Sequence, residues 1–229
     1  MKAKLVESHE IAPEIRHFIF ETNGVDPFLF VPGQWVSFEE TVNGEEITRA
    51  YSIASPPRGN RFELCLNRVE NGHLSPYLFS MRPGDLVEMR GPFGTFLLRE
   101  PPSDSLLVAT GTGIAPFRAM LHAGLPTRPK QQITLLFGVR HEERLLYRGE
   151  FEALARDHPN FRFWPTLTRP GPDWHGRTGR VQQHLTEAVG CRRDIDVYIC
   201  GLHQMVDEVR TQLRSMGFDR KKMIYEKYD

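Results

Sequence analysis

The 229-residue sequence predicts two domains, an antiparallel β-barrel followed by an α/β domain on a parallel sheet. Three observations predict this. The first ~100 residues read as short strands between turn residues, the grammar of a small barrel. After Pro101-Pro102, apolar strands alternate with helical stretches, as in a parallel sheet with crossover helices. The length suits two modest domains at roughly 100–200 residues each. The boundary is placed between residues 101 and 102, giving domains 1–101 and 102–229.

The elements follow in order. Ile15–Glu21 and Trp35–Val42 are rich in β-branched and aromatic residues. Asn43-Gly44 signals a tight turn, and Ile47–Ala54 returns as the second arm of a hairpin. Arg61–Val69 and Leu86–Arg90 add strands. Pro32-Gly33, Pro56-Pro57, Pro83-Gly84 and Gly91-Pro92 punctuate them. In the second half, Ser105–Thr110 is a short apolar strand and Gly111–Gly113 a turn. A helix runs from Pro116 to about Gly124. Ile133–Val139 is the next strand and Gly149–Arg156 the next helix. Phe161–Thr168, Val181–Val189, Ile195–Cys200, Leu202–Met216 and Lys222–Glu226 continue the alternation.

Composition narrows the function. Hydrophobic residues are 40% and charged residues 25%, which suits a folded globular protein. Twenty-nine basic residues balance twenty-nine acidic ones, which argues against nucleic-acid binding. The balance hides an asymmetry. Residues 1–100 carry a net −4 and residues 101–229 a net +4, and Arg outnumbers Lys 23 to 6. Arg is preferred where phosphate is gripped in a fixed geometry. Three cysteines without a C-x-x-C, and histidines without an H-E-x-x-H, give no metal site. No apolar run approaches the ~20 residues of a membrane span. The N-terminus turns acidic at Glu7 before any apolar stretch, so no signal peptide is expected and a reducing cytoplasm is the default.

Three motifs carry chemistry. Thr110-Gly111-Thr112-Gly113 follows an apolar strand and opens a helix. Glycines there let backbone amides approach a pyrophosphate at a helix N-terminus. Alone, such a turn is as often only structural, and Pro116 stands where a third glycine is usual. Arg49-Ala50-Tyr51-Ser52 lies on a barrel strand and by itself reads as an amphipathic strand with a surface Arg. Gly72-His73-Leu74-Ser75 again places amides and a hydroxyl at a helix start. Arg90-Gly91-Pro92-Phe93-Gly94 closes the barrel half.

In this order, Arg-x-Tyr-Ser, Gly-x-x-Ser and Gly-Thr-Gly-x-x-Pro resemble the ferredoxin–NADP reductase family. Cys200-Gly201 and the C-terminal Tyr225-Glu226-Lys227-Tyr228 extend the resemblance over essentially the whole chain. Phe137-Gly138-Val139-Arg140 and Glu226 are similar to the plant-type and oxygenase-reductase branches. The resemblance implies a tightly bound, non-covalent FAD in the barrel. Arg49 and Ala50 would lie along its pyrophosphate, Tyr51 against its ring system, and Ser52 toward its reactive nitrogen. Gly72, His73, Leu74 and Ser75 would cradle the pyrophosphate. On a regular strand Arg49 and Tyr51 share a face and Ser52 does not, so a local irregularity or backbone contacts are required.

For the second domain the resemblance implies a nicotinamide dinucleotide. Thr110, Gly111, Thr112 and Gly113 would hold its pyrophosphate, with Arg140 nearby. Cys200 and Gly201 would meet the nicotinamide beside Glu226, and Tyr228 would cover the flavin face. Asp229 follows Tyr228, so that aromatic is not the last residue. Ser52, Cys200 and Glu226 form the implied catalytic set. Arg169 and Arg177 match positions that bind the extra phosphate of NADP, so NADPH is expected ahead of NADH. The implied activity passes a hydride from NADPH to FAD and then single electrons to a separate ferredoxin or flavodoxin. An NAD(P)H-flavin reductase or the reductase component of an oxygenase is the alternative. A monomer is expected, with no membrane or nucleic-acid partner. Lys2, Lys4, Arg220, Lys221, Lys222 and Lys227 are candidates for a basic docking surface.

Overall fold

In the computed structural model, residues 1–42 and 44–228 are described; Asn43, Asp229 and the side chains of Val42 and Glu45 lie outside the described residues. The Asn43 position of the expected tight turn therefore lies outside them, and the two strands it would join do pair. The first unit is built from β1 (Lys2–Ala12), β2 (Ile15–Asn23), β3 (Trp35–Val42), β4 (Glu45–Ser52), β5 (Arg61–Asn67) and β6 (Leu86–Phe93). These form one sheet in the order β4-β3-β6-β1-β2-β5, with antiparallel pairing throughout. The outer strands meet at an isolated bridge between Ile53 and Leu64, which brings the sheet round on itself.

Alternation explains the core. Phe18, Phe20, Phe38 and Phe62 are fully buried. The Phe20 ring meets Phe38 edge-on at 5.1 Å and stacks on Phe62 at 5.6 Å. Each such ring contributes about 2–3 kcal/mol of burial. β1 is absent from the sequence reading because its alternation is broken. Ala3 and Leu5 point inward, and the register with β2 then shifts between Leu5 and Glu7. One short helix, α1 (Leu74–Ser80), belongs to this unit.

The second unit has β7 (Ser105–Thr110), β8 (Ile133–Val139), β9 (Phe161–Leu167), β10 (Arg177–Thr178), β11 (Asp196–Leu202) and β12 (Met223–Tyr228). All pairings are parallel, in the order β10-β9-β8-β7-β11-β12. β7, β8 and β11 are almost wholly buried, as parallel strands with both faces covered must be. The chain moves outward from β7 to β8, then returns to place β11 on the other side of β7. The strand ends of β7 and β11 are therefore the switch point of the sheet.

The helices of the second half are α2 (Ala115–Gly124), α3 (Arg148–Asp157), α4 (Leu185–Val189) and α5 (His203–Ser215). Compact units by contact are Met1–Leu98 with Ala115–Ala123, and Arg99–Ile114 with Gly124–Asp229. Most of α2 thus packs with the first unit, although it follows β7 in sequence. Arg118 anchors it there, donating to the Ala54 carbonyl at 2.9 Å and to Glu63 at 2.5 Å. Phe117 packs on Phe96, with ring centroids 5.6 Å apart.

Candidate functional site

The switch point is formed by close backbone packing. A Cβ on Gly113 would stand 2.7 Å from the Cys200 carbonyl carbon and 2.9 Å from Gly201 Cα. Gly201 has φ +150°, and a Cβ there would lie 2.7 Å from Met205 Cε and closer still to Thr110 Oγ1. No side chain fits at Gly113 without moving backbone, and one at Gly201 would displace the Thr110 and Met205 side chains. Between Thr110 and α2 the chain makes a tight 3-10 turn, Gly111–Ile114. Thr112 lies on that turn, exposed in part, and Gly111 takes φ +54°. Thr110 Oγ1 is buried without a hydrogen-bond partner among the described residues. Such an orphan costs ~1–3 kcal/mol until a polar group reaches it. Pro116 occupies the first turn of α2, where its missing N–H is not needed.

Cys200, Glu226 and Tyr228 assemble beside this turn. Cys200 lies within β11, which runs two residues further than the sequence suggests, and pairs with Glu226 of β12. Burial pushes the Cys200 thiol well above its usual range, and the Glu226 carboxylate adds to the effect. A hydrogen bond donated by the Tyr228 hydroxyl opposes it without reversing it. Cys200 is therefore a protonated thiol at neutral pH and a poor nucleophile. It is small and fully buried, with Glu226 and Tyr228 on the same side.

The three expected phosphate-binding arginines are not equivalent. Arg140 and Arg169 stand just past the ends of β8 and β9, tied by an Arg169 N–H to Arg140 carbonyl bond of 2.8 Å. Both side chains are exposed and neither has a carboxylate partner among the described residues. Arg177 is committed elsewhere. Its guanidinium lies 3.8 Å over the Trp164 ring, and Nη2 donates to Glu187 at 2.7 Å. Its charge is partly neutralised by that pair, whereas Arg169 keeps an unpaired charge among the described residues.

In the first unit, Arg49 is exposed, and its Nη1 donates to the neighbouring Thr48 carbonyl at 2.8 Å. It has no carboxylate partner among the described residues. Ala50 beside it is exposed. Tyr51 is half-buried against Phe38, with centroids 5.8 Å apart, and burial raises its phenol to about 12. Ser52 is buried opposite Trp35. The register of β4 on β3 runs unshifted from Thr41 with Glu46 to Trp35 with Ser52. The irregularity required to bring Ser52 onto the Tyr51 face is thus absent from this ladder.

At α1 the picture is mixed. The Gly72 N–H already bonds the Val69 carbonyl at 2.9 Å. Ser75 Oγ accepts from the Val69 N–H at 2.9 Å, which leaves its own proton free to donate. His73 makes no side-chain cap bond, so the first amides of the helix are not capped by that residue. The free cation of Arg49 and these amides suit a polyanion, as do the orphan Thr110 hydroxyl and the glycine-only turn in the second unit.

Of the six residues expected to form a basic surface, Arg220 and Lys221 are exposed with no carboxylate partner among the described residues, and the other four make ion pairs. Lys2 pairs with Glu88, Lys4 with Glu21, Lys222 with Asp196 and Lys227 with Asp207. Sequence reasoning gave no role to Arg118, Glu63, Asp207 or Arg210. The i, i+4 and i, i+3 spacing of His203, Asp207 and Arg210 was the available signal. Among the described residues no cluster of His, Cys, Asp or Glu can hold a metal ion, and no helix is long and apolar enough to cross a membrane.

Comparison with known proteins places these features. A family model described as Oxidoreductase FAD-binding domain matches residues 2–97, and one described as Oxidoreductase NAD-binding domain matches residues 107–211. The chain is 44% identical to Ferredoxin--NADP reductase B of Sorangium cellulosum (strain So ce56), over all of this chain and 97% of that protein. It is 33% identical to the Toluate 1,2-dioxygenase electron transfer component of Pseudomonas putida, over 89% of this chain but only 60% of that protein. Among solved structures, the Amycolatopsis cytochrome P450 reductase GcoB is similar with a TM-score of 0.89 and 28% identity. That match covers 99% of this chain and 69% of that one.

Proposed function

The chain belongs to the ferredoxin–NADP reductase family and is an FAD-dependent oxidoreductase drawing on a pyridine nucleotide, and from that premise we propose that it passes reducing equivalents from NADPH to a separate ferredoxin or flavodoxin. The observation that carries this reading is the switch point. There a turn that tolerates only glycine at Gly113 and an orphan Thr110 hydroxyl sit beside Cys200, Glu226 and Tyr228. When bound, the flavin supplies the conversion of one two-electron hydride into two single-electron deliveries.

The chain's own residues bind and orient. Arg49 and the first amides of α1 would hold the FAD pyrophosphate, and Tyr51 would shield the ring system from water. The amides of Gly111, Thr112 and Gly113 would take the dinucleotide pyrophosphate, with Thr110 Oγ1 gaining the partner it lacks. Cys200 and Gly201 would shape the nicotinamide pocket, and Glu226 would set its polarity. Arg169 and Arg140 would meet the extra phosphate of NADPH, which supports NADPH ahead of NADH.

The toluate dioxygenase relative favours a second reading, in which the acceptor is an oxygenase's own electron carrier. Anaerobic addition of NADPH to the protein as isolated tests the leading reading. The visible flavin band should bleach within seconds and much faster than with NADH. A preparation that loses its yellow colour on gel filtration points instead to a reductase of free flavin. An unbleached band would overturn the proposal. Reduction rates with a ferredoxin, a flavodoxin and an oxygenase carrier then rank the acceptors.

A further inference from the structure

β12 has two faces, and only one is used above. Glu226 and Tyr228 lie toward Cys200. By strand alternation Tyr225 and Lys227 lie on the opposite face. That face is fastened to α5. The Arg210 guanidinium lies 3.7 Å from the Tyr225 ring centroid. Lys227 Nζ donates to Asp207 at 2.9 Å and to His203 Nε2 at 3.1 Å. Asp207 also accepts from Arg210 Nη1 at 3.1 Å and faces His203 Nδ1 at 3.2 Å. One carboxylate thus gathers three nitrogen-bearing side chains, two from its own helix and one from the strand. Lys227 beside it holds the Asp207 carboxyl below the usual carboxylate range, so its charge persists at neutral pH.

The topology explains why a fastening matters here. β12 is an edge strand, hydrogen-bonded only to β11. Edge strands have half the ladder of inner ones and open at lower free energy. The residues that must stay in register are the last of this ladder, Cys200 with Glu226 and Leu202 with Tyr228. Arg210 keeps its stack on Tyr225 although its Nε is buried without a partner among the described residues. An isolated surface ion pair contributes little. A carboxylate shared by a lysine, an arginine and a histidine, next to a cation–π stack on the same strand, forms a network.

We propose that Asp207, Lys227 and Arg210 clamp β12 to α5, as positioning residues that hold Glu226 and Tyr228 against Cys200 and so fix the nicotinamide end of the site. The assignment of that end rests on the function proposed above; the clamp itself is a claim about strand register and can be tested without adding a nicotinamide dinucleotide.

Peptide-resolved alkylation of the full-length holoprotein by N-ethylmaleimide at neutral pH reads it directly. Cys200 is fully buried under Tyr228, Cys191 is exposed, and Cys65 is buried in the first unit. Cys191 therefore serves as the rate standard and Cys65 as the control for general loosening. Asp207→Asn and Lys227→Met should each raise the Cys200 rate about tenfold relative to Cys191, through a larger open population of the edge strand. Lys227→Arg, which keeps the charge and the donors, should stay at the wild-type rate. An unchanged Cys200 rate in both clamp variants overturns the proposal, as does a Cys65 rate that rises in step. Repeating the labelling of Lys227→Met with NADP+ separates the two ideas. A raised rate that NADP+ does not slow upholds the clamp and counts against the dinucleotide reading.

Discussion

The β4–α1 region of the first unit and the β7–β11 strand ends of the second are both candidates to hold a pyrophosphate, yet they are built in different ways. In the first, the candidate charge and the helix-start amides stand free of the fold. Arg49 is exposed and, among the described residues, bonds only a neighbouring carbonyl. The α1 amides have no side-chain cap. In the second, the candidate turn is part of the packing itself, since Gly113 lies against the Cys200 carbonyl and Gly201 against Thr110. The difference teaches that binding and stability are separable in one region and joined in the other.

The largest effect is expected at Gly113. Gly113→Ala puts a methyl within 2.7 Å of the Cys200 carbonyl carbon, so backbone must move. The overpacking should cost ~3 kcal/mol, a fall in Tm of about 10 °C at this chain length. Dinucleotide reduction of the flavin should be lost with it. A variant with wild-type Tm would show that the turn is not packed as described.

Arg49→Ala is the matching experiment in the first unit. Loss of a charged hydrogen-bond donor should weaken FAD binding about 10–100-fold. Apoprotein stability should stay within ~0.5 kcal/mol, because Arg49 makes no tertiary contact among the described residues. Flavin release on dilution, followed by fluorescence, and a melt of the apoprotein measure the two halves. A large Tm loss without flavin release would erase the contrast between the regions.

Arg169 and Arg177 sharpen it within the second unit. Arg169→Ala should raise the KM for NADPH roughly tenfold while leaving that for NADH nearly unchanged, because it removes one free phosphate partner. Arg177→Ala should instead cost ~1 kcal/mol of stability through the lost Trp164 stack. Steady-state kinetics with both nucleotides and a thermal melt separate them. Equal KM changes for the two nucleotides in Arg169→Ala would remove the basis for NADPH preference.

Much of this was legible in the sequence, and the reasons are physical. Turn residues and alternation are local signals, so Trp35–Val42 and Ile133–Val139 are strands with the bounds expected. The glycine turn after β7 also announced itself locally. What stayed hidden depends on tertiary partners. Nothing near Arg177 in sequence says that Trp164 and Glu187 will occupy it. Nothing in the sequence around Ser75 says that the Val69 N–H will donate to its hydroxyl. β1 escaped because a register shift after Leu5 breaks its alternation. α2 follows the second unit's first strand, but Arg118 and Phe117 carry it to the first unit.

The smallest effect is a titration that is silent at neutral pH. Tyr51 is half-buried, and desolvation raises its phenol from the ordinary 10.0 to about 12, with Arg49 pulling weakly the other way. An unfolded chain gives up this proton near pH 10 and the folded one keeps it to about 12. Between those values the unfolded state binds fewer protons, so stability falls as pH rises. The contribution is complete below about pH 10 and gone by about 12. Absorbance at the tyrosinate band, wild type against Tyr51→Phe, should show one of the six tyrosines ionising late in the folded apoprotein. Arg49→Ala should delay it slightly further, because the nearby cation favours the phenolate. If Tyr51 titrates with the exposed tyrosines, its ring does not rest on Phe38, and the first unit would lose the candidate aromatic that is joined to its packing.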